Sequence, residues 1–331
     1  MRGYNLVPLF VSNLKGFNRK EKIKHLQWMA ESVDFKSAGK SDLPGIALSF
    51  FALSRTELQK NCDEVNAIAE KCRNHGIDII SIYDTSYPAL LKEIYDPPII
   101  LYVRGALPDP DSFNISVVGT RHATGRALRA SFETGFYLSS AGINVVSGLA
   151  MGIDAEAHRG SIKSGGKTTA VLGCGPEMVY PVCNKRVAEG ILQQGGALLS
   201  EYPPGTEPLK YHFPERNRII SGLSAGTVII EAPVKSGALI TADYALEHNR
   251  DIFIHSAGLF TQYGRGGKML SDDGAMVFDE PCFITDYYGF ESEADYKPDN
   301  KYFDSPGIVE DEINDLIVNY KGLLYRRTIN G

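Results

Sequence analysis

The sequence has no long uninterrupted apolar run. Its longest apolar stretches are about eight residues, such as residues 46–53, which Ser49 interrupts, whereas a membrane-spanning helix needs about 20. The first residues have neither the apolar core nor the small-residue cleavage site of a secretory signal peptide. We therefore expect a cytoplasmic protein that does not contact a membrane.

Paired cysteines and common catalytic motifs are scarce as well. The five cysteines (Cys62, Cys72, Cys174, Cys183 and Cys282) include no C-x-x-C pair, so we expect reduced, structural thiols and no metal site. The histidines are scattered without an H-E-x-x-H pattern, and Ser147–Gly148 lacks the frame of a nucleophile elbow. This favours a binding protein without catalysis and without a cofactor.

Acidic residues are concentrated near one end of the chain. The net charge is −6, but residues 291–315 hold nine acidic residues and two lysines, a net of −7, so the rest of the chain carries about +1. A protein that coats DNA with a wholly basic surface is therefore excluded. A local basic groove is compatible with this distribution.

Three regions of the chain differ in their pattern. Residues 1–78 are typical of helices: Ser54 and Glu57 form a capping-box signature, and a period of 3.6 continues to Gly76, which suits a C-cap. We predict a small helical domain over residues 1–78, a Rossmann-like domain over 79–290 and an acidic tail over 291–331. The tail is predicted to contain a short amphipathic helix, Ile313–Tyr320.

Strand and helix signals alternate from Asn114 to Phe278. Continuous apolar strands, each followed by a helix, predict an α/β fold: an extended Rossmann-like, mostly parallel sheet with helices on both faces, preceded by the small helical domain. The predicted strands here are Ile115–Val118, Ile143–Val146, Thr168–Leu172, Ala197–Ser200, Thr227–Ile230, Asp251–Ile254 and Ala275–Phe278. The predicted helices are Arg126–Ser140, Ala155–Ser164, Asn184–Gln194 and Leu239–Asn249.

Glycine-containing loops follow three of these strands, beginning at Gly119, Ser147 and Gly173. Loops of this kind on one parallel sheet meet at one edge, where ligands bind. The first loop places free backbone N–H groups beside a helix start, which suits an anion. It matches neither G-x-G-x-x-G nor G-x-x-x-x-G-K-[ST], so a dinucleotide fingerprint or a nucleotide-hydrolysing loop is not supported.

Charged side chains in these loops each have two interpretations. Arg121 lies in the first turn, where a planar guanidinium suits a phosphate, and the alternative is a solvated loop arginine. Asp154, at the end of the second loop, is predicted to cap the following helix rather than to contact a ligand. Lys185 lies at a helix start, a position equally typical of a ligand-binding lysine and of a solvated one.

The segment Phe213–Glu231 contains three polar residues in succession, Arg216, Asn217 and Arg218. They cannot all enter a core unpaired, because burying a charge is costly. Either they pair with internal carboxylates such as Glu201 or Glu231, or they face an anionic ligand, which we favour. Aromatic residues nearby could stack on bases, as in single-strand binders, or belong to the core: Tyr202, Tyr211, His212 and Phe213.

Six segments form a recognisable set of motifs: VVGTR (117–121), SGLAMGID (147–154), AVLGCG…YPVCN (170–184), LLSEYPPGTEP (198–208), FPERNRIISGLS (213–224) and VIIEAPVKSGALITA (228–242). Together they closely resemble the DNA-processing protein A (DprA/Smf) family, over roughly residues 77–280. The resemblance implies an extended Rossmann fold and binding of single-stranded DNA without sequence specificity. It also implies homodimerisation and the loading of a RecA-type recombinase during natural transformation.

By this resemblance the DNA pocket would contain Gly119, Arg121, Gly148, Lys185, Arg216, Asn217 and Arg218. The arginines and the lysine would neutralise phosphates, the asparagine would hold a sugar–phosphate oxygen, and the glycine turns would admit the backbone. The chain departs from the family pattern at His255–Gly258, where members usually have Pro-Gly, and at Gly264–Lys268. Both departures affect the expected pocket wall.

We predict a single-stranded DNA-binding recombination mediator without catalysis. An alternative from the enzyme class is a nucleotide-binding or nucleotide-processing protein similar to nucleoside-monophosphate phosphoribohydrolases. Their PGGxGT-x-x-E pattern is replaced here by APVKSGALITA, which counts against that alternative. A third interpretation is a protein-interaction scaffold that uses the helical N-terminus and the acidic tail.

Overall fold

The computed structural model describes residues 6–35, 41–291, 317–320 and 323–326. The helices are α1 (Leu6–Asn13), α2 (Arg19–Ala30), α3 (Leu43–Phe50), α4 (Arg55–Asn74), α5 (Ala89–Lys92), α6 (Gly125–Ser140), α7 (Ile153–Lys163), α8 (Lys185–Gln193), α9 (His212–Gly222), α10 (Gly237–Glu247), α11 (Ser256–Leu259), α12 (Arg265–Asp272) and α13 (Cys282–Tyr287). The strands are β1 (Ile77–Ser81), β2 (Ile100–Gly105), β3 (Asn114–Val118), β4 (Asn144–Ser147), β5 (Thr168–Val171), β6 (Ala197–Ser200), β7 (Gly226–Ile229), β8 (Asp251–His255), β9 (Met276–Phe278), β10 (Ile317–Tyr320) and β11 (Leu323–Arg326). None of the helices in these ranges is long and apolar enough to span a membrane.

Nine strands form one sheet in the order β1-β2-β6-β5-β4-β3-β7-β8-β9. The seven strands from β6 to β9 in this order run parallel, while β2 pairs antiparallel with β6 and β1 pairs antiparallel with β2. The chain builds outward from β3 to β6 on one side and then returns to place β7, β8 and β9 on the other side of β3. This reversal creates a topological switch point between β3 and β7, where folds of this kind bind ligands.

Both faces of the sheet are buried, as the continuous apolar strands predict. Neighbouring residues of one strand belong to different buried clusters: Val117 lies in one cluster and Val118 in another. Val145 and Val146 of the next strand divide in the same way. Because successive side chains of a strand point to opposite faces, apolar layers cover both sides of the sheet. The predicted fold class is confirmed, and every strand and helix predicted between residues 114 and 278 is present, with ends within two residues.

The N-terminal helices pack on the antiparallel edge of the sheet. The predicted capping box between Ser54 and Glu57 starts α4, and Gly76 follows that helix with a φ of 63°. The buried cluster of these helices also includes Ile79 of β1 and Tyr102 of β2. The helices and the sheet edge therefore share one core, and the boundary at residue 78 between two domains remains a prediction.

Two local predictions differ from the structure. Residues His212–Gly222, for which the sequence indicated a cluster of polar residues and no helix, form helix α9. Residues Ile317–Tyr320, predicted to be helical, form a strand that pairs antiparallel with β11, so the helix prediction is wrong there. β-branched and aromatic residues favour strands, and this preference outweighs the apparent helical spacing. Residues 292–316, most of the acidic tail, lie outside the described residues.

Candidate functional site

A groove of about 570 Å³ lies at the carboxyl ends of the parallel strands. Its lining comes from the loops that follow β3, β4, β5, β6 and β7, which places it at the switch point of the sheet. The predicted convergence of glycine loops is therefore correct. The residues that line the groove include Gly119, Arg121, His122, Asp154, Tyr180, Lys210, Phe213, Arg216, Asn217, Pro233, Lys235 and Gly237.

Arg216 lines the groove although only 4% of its surface is exposed. Its guanidinium donates to the carbonyl oxygens of Gly148 (2.6 Å) and Val171, and its Nε donates to Asn217 Oδ1 (3.0 Å). Burial lowers the pKa of Arg216 to about 10, and the nearby Asp154 opposes this shift. Among the described side chains no carboxylate contacts the guanidinium directly, so a positive charge is held at the base of the groove by neutral oxygens.

Asp154 is buried near Arg216 and partly balances its charge. The carboxylate accepts hydrogen bonds from the backbone N–H groups of Gly148 (3.2 Å) and Ala150 (3.3 Å). Burial raises the pKa of Asp154, and Arg216 counteracts that rise. The prediction that Asp154 caps α7 is wrong, because the N-cap residue is Gly152. The carboxylate instead fixes the loop that precedes the helix.

Phe213 lies between two arginines. The Cζ atoms of Arg121 and Arg216 are 5.7 and 5.9 Å from the centre of its ring, within the range of cation–π attraction. Tyr180 extends this aromatic surface, with its ring centre 5.5 Å from that of Phe213. Arg121 is exposed and has no ion-pair partner among the described side chains. Its charge is therefore available to a ligand in the groove.

Two predicted glycines act by making room for other groups. A Cβ atom on Gly119 would lie 2.5 Å from Ile153 Cγ1, and one on Gly148 would lie 2.2 Å from Arg216 Nη2. Gly119 lines the groove, whereas Gly148 does not. Gly148 therefore contributes through Arg216, by leaving space for the guanidinium and by accepting its hydrogen bond.

Arg218 lies in an ion-pair network outside the groove lining. Its guanidinium donates to the two carboxylate oxygens of Glu201 at 2.7 and 2.6 Å, and its Nε is 3.2 Å from Asp96 Oδ2. Arg19 of α2 bonds the same two carboxylates. Only 5% of Arg218 is exposed. The expectation that Arg218 faces an anionic ligand is therefore wrong, and the alternative of pairing with Glu201 is correct.

The geometry of α9 explains why the three consecutive polar residues separate. Successive residues of an α-helix are about 100° apart, so residues 216 and 218 lie about 200° apart around the axis. Asn217, between them, lines the groove and donates from Nδ2 to Gly237 O (3.1 Å) at the start of α10. The three side chains therefore reach three different surroundings.

The lysines that line the groove are not the one that was predicted from the sequence. Lys185 is exposed at the first position of α8 but does not line the groove. Lys210 and Lys235, which the sequence analysis did not single out, are exposed and do line it. The available signal for Lys235 was its place directly before Ser236, the N-cap of α10, because helix starts favour anions. Lys210 had no comparable signal.

No constellation in the described residues is typical of catalysis. No group of three or more His, Cys, Asp or Glu side chains there could hold a metal ion, and of the five free cysteines only Cys282 is exposed. Residues 222–226 do match G-x-S-x-G, but Ser224 is fully buried and donates to Ile220 O (3.0 Å). It also follows a helix, whereas a nucleophile elbow joins a strand to a helix.

Comparison with known sequences gives consistent matches. The family model described as DNA recombination-mediator protein A matches residues 78–289. Protein Smf of Synechocystis sp. is 44% identical over 198 residues, which are 59% of this chain but only 50% of that relative. DNA processing protein DprA of Bacillus subtilis is 38% identical over 68% of this chain and 76% of the relative. Protein Smf of Borreliella burgdorferi is 33% identical over 92% and 91%.

Two solved structures are similar over most of their length. DNA processing protein A from Streptococcus pneumoniae superposes with a TM-score of 0.71 at 30% identity, covering 88% of this chain and 99% of that one. A structure of DNA processing protein A from Helicobacter pylori, which describes a single-stranded DNA binding mode, has a TM-score of 0.58 at 25% identity. It covers 66% of this chain and 99% of that one.

Proposed function

This chain belongs to the DNA recombination-mediator protein A family, and on that premise we propose that it binds single-stranded DNA in the groove at the switch point. The observation that carries the proposal is the pair of arginines around Phe213, with Arg121 exposed and Arg216 beneath the ring. Single-strand binders combine cations for phosphates with aromatic rings for bases. This groove offers both within one lining.

Charge around the groove supports a polyanionic ligand. Arg121, Lys210 and Lys235 are exposed, and none of them forms an ion pair with a described side chain. The first turn of α10 also lines the groove through Gly237, and the partial positive charge of a helix start favours phosphate. With Arg216 the lining contains four cations. A plot of the logarithm of the affinity for single strands against the logarithm of the salt concentration should therefore have a slope of about −3.

Stacking on Phe213 and Tyr180 would make binding tolerant of sequence. Every base has an aromatic face, so a stacking surface does not select one base. Asn217 has its amide engaged by Arg216 and Gly237, and we assign it to positioning α9 against α10. The predicted contact of Asn217 with a sugar–phosphate oxygen, which accepts hydrogen bonds, would use the second N–H of Nδ2.

The first experiment is fluorescence anisotropy of a labelled oligo-dT at two salt concentrations. Wild type should bind tightly at low salt, and Arg121→Ala should weaken binding roughly tenfold and reduce the salt slope by about 1. Lys185→Ala is the matched control, because Lys185 is exposed but outside the lining, and it should change affinity less than Arg121→Ala. Binding that is insensitive to salt would contradict the phosphate assignment, and no binding by wild type would favour a nucleotide ligand instead.

We further propose that the protein loads a RecA-type recombinase onto the bound strand during natural transformation, as a homodimer in the cytoplasm. Membership of a family described as recombination mediators supports this role. It predicts faster recombinase assembly on DNA that a single-strand binding protein already covers. Wild type should shorten the lag of that assembly, and Arg121→Ala should not. Sedimentation analysis should give twice the mass of one chain.

A mediator role requires no bond-making chemistry, and we predict none. The rival from the enzyme class, a phosphoribohydrolase-like protein, would release free base from a nucleoside monophosphate. Chromatography of nucleoside monophosphates after incubation with the protein should show no such release. Turnover that disappears in Arg121→Ala would replace our proposal with that rival.

A further inference from the structure

The most exposed large apolar side chain of the described residues is Phe260, with 87% of its surface accessible. It lies in residues 258–264, the end of α11 and the short loop after it, which we call the Phe260 loop. This loop connects the two segments that depart from the family pattern, His255–Gly258 and Gly264–Lys268. Single exposed apolar side chains are common on protein surfaces, but an exposed aromatic ring near cations can stack on a nucleic-acid base.

The Phe260 loop is held firmly by its own backbone. Gly258 packs so closely on β7 that a Cβ atom would lie 1.8 Å from Ile230 O, and a Cβ atom on Gly264 would lie 2.0 Å from Gly258 O. Gly264 N donates to Thr261 O at 3.1 Å. The loop conformation therefore presents the Phe260 ring to solvent.

The Phe260 loop adjoins the rim of the groove. Glu231 joins the two: its carboxylate accepts from Thr124 N (2.9 Å) and from the hydroxyls of Thr124 and Thr261. Only one residue, Ala123, separates Thr124 from His122 in the groove lining, so the two are at most about 7 Å apart along the chain. On the other side of the loop, Gly266 N donates to Ala232 O (2.8 Å), directly before the lining residue Pro233.

Two cations without an ion pair lie on the helices that adjoin the Phe260 loop. Arg126 lies in the first turn of α6, against which α11 packs, and Arg265 begins α12 directly after the loop. Both are exposed, and neither forms an ion pair with a described side chain. The nearby carboxylates accept hydrogen bonds from hydroxyl groups, Glu231 from the two threonines and Asp279 from Ser256, and neither forms an ion pair with Arg126 or Arg265. The Phe260 loop therefore combines an exposed aromatic ring with cations on the neighbouring helices, the two kinds of group that single-strand binders use.

We propose that a single strand longer than the groove continues over this surface, with a base stacked on Phe260 and neighbouring phosphates held by Arg126 and Arg265. The inference rests on the proposed function, because it extends the same ligand beyond the groove. A second copy of the chain could also cover an exposed ring. The two unpaired cations and the continuity with the groove rim favour the polyanion.

The test compares short and long strands. Wild type, Phe260→Ala and Phe260→Tyr are titrated with oligo-dT of about 6 and about 20 nucleotides, lengths that bracket typical site sizes. Phe260→Ala should weaken binding of the long strand roughly tenfold, the size expected for one stacked base, and leave the short strand within about twofold. Phe260→Tyr should restore the long-strand affinity, since it keeps the ring. Leu48→Ala, which removes another exposed apolar side chain, is the control and should change neither.

Three outcomes would overturn the inference. One is unchanged long-strand affinity in Phe260→Ala, and another is an equal loss for both lengths, which would place Phe260 in the groove itself. The third is a lower mass of Phe260→Ala in sedimentation with unchanged long-strand affinity, which would make a second copy the occupant. The proposed function fails differently: wild type would then bind neither strand.

Discussion

The two sides of α9 place the same residue type in opposite surroundings. On the groove side, Arg216 is 4% exposed and is held by carbonyl oxygens and one amide. On the other side, Arg218 is 5% exposed and is neutralised by Glu201 and Asp96. The two arginines are therefore equally buried, but only Arg218 forms ion pairs with carboxylates. The first arginine contributes positive potential to the groove. The second ties α9 to Glu201, directly after β6, and through Glu201 and Asp96 to Arg19 of the N-terminal helices.

This difference shows that adjacent charges in a sequence need not share a ligand. A buried arginine with a bidentate carboxylate has its charge satisfied internally. A buried arginine whose hydrogen bonds all go to neutral oxygens, with only the nearby Asp154 to balance part of its charge, keeps positive charge that an approaching anion would stabilise. Loss of DNA affinity and loss of stability should therefore separate between the two sides of the helix.

The largest expected effect is a loss of protein stability when the ion-pair network of Arg218, on the side of α9 away from the groove, is broken. We call this side of α9 the network side. Glu201→Ala leaves Arg218 with only Asp96, whose side chain is 37% exposed, and breaking a buried pair costs about 3–5 kcal/mol. We expect a loss of that size in the free energy of unfolding, measured with urea. The affinity of the folded fraction for oligo-dT should stay within about threefold, because the network lies outside the groove lining.

Glu93→Ala is the matched control for the network. Glu93 is 3.5 Å from Arg250, and its side chain is 65% exposed, so removal of this pair should cost no more than about 1 kcal/mol. If Glu201→Ala reduced affinity tenfold without lowering stability, the separation of the two sides would be incorrect.

A smaller effect is expected from displacing Arg216 on the groove side. In Gly148→Ala the new Cβ atom would lie 2.2 Å from Nη2 and 2.5 Å from Cζ of Arg216, so the guanidinium must move and lose its bond to Gly148 O. We expect a destabilisation of about 1–3 kcal/mol, together with a loss of oligo-dT affinity. The combination distinguishes this side from the network side, where only stability falls.

Gly45→Ala in α3 is the control for adding a methyl group to a glycine. No atom lies within 4 Å of the added Cβ there, and alanine is the better helix former by roughly 1 kcal/mol. This variant should be as stable as wild type or slightly more stable, with normal affinity. Normal affinity in Gly148→Ala as well would remove Arg216 from the ligand site.

The smallest expected effect is a pH dependence of stability that comes from His248, which contacts α9 on the network side. Burial, with Arg250 and Arg218 nearby, lowers the pKa of His248 from 6.5 to about 4. A histidine with a depressed folded-state pKa contributes stability above pH 6.5 that is lost as the pH falls toward 4, because the unfolded chain binds the proton more readily. The melting temperature should therefore decrease over this interval.

His248→Gln should flatten that part of the pH profile. The imidazole Nδ1 is 3.1 Å from Ser221 Oγ of α9, and glutamine offers a hydrogen-bonding group that does not titrate. Other groups titrate in the same interval, so the relevant quantity is the difference between the two profiles. Identical profiles for wild type and variant would contradict a contribution from His248.

The strands that were predicted from the sequence and the helix that was not, α9, differ in how their buried residues are arranged along the chain. The strands were predictable because most contain a short apolar run between turn residues, as in Ile252–Ile254 of β8. Helix α9 has no polar face, because residues 216–222 are all buried, so the usual alternation of apolar and polar positions is absent. Its buried positions carry arginine and asparagine, which sequence patterns assign to loops or to the surface.

The sequence by itself determined the sheet, the glycine loops and their meeting at one edge, because apolar periodicity and turn residues are local properties of the chain. It also carried the family motifs. Only the tertiary structure decided that Arg216 enters the groove and Arg218 does not, and that Lys210 and Lys235 line it while Lys185 stays outside. It also decided that Phe260 is exposed on the loop after α11. These outcomes depend on the direction of side chains around a helix and on partners as distant in sequence as Asp96 and Arg218, 122 residues apart, and no local pattern encodes such pairing.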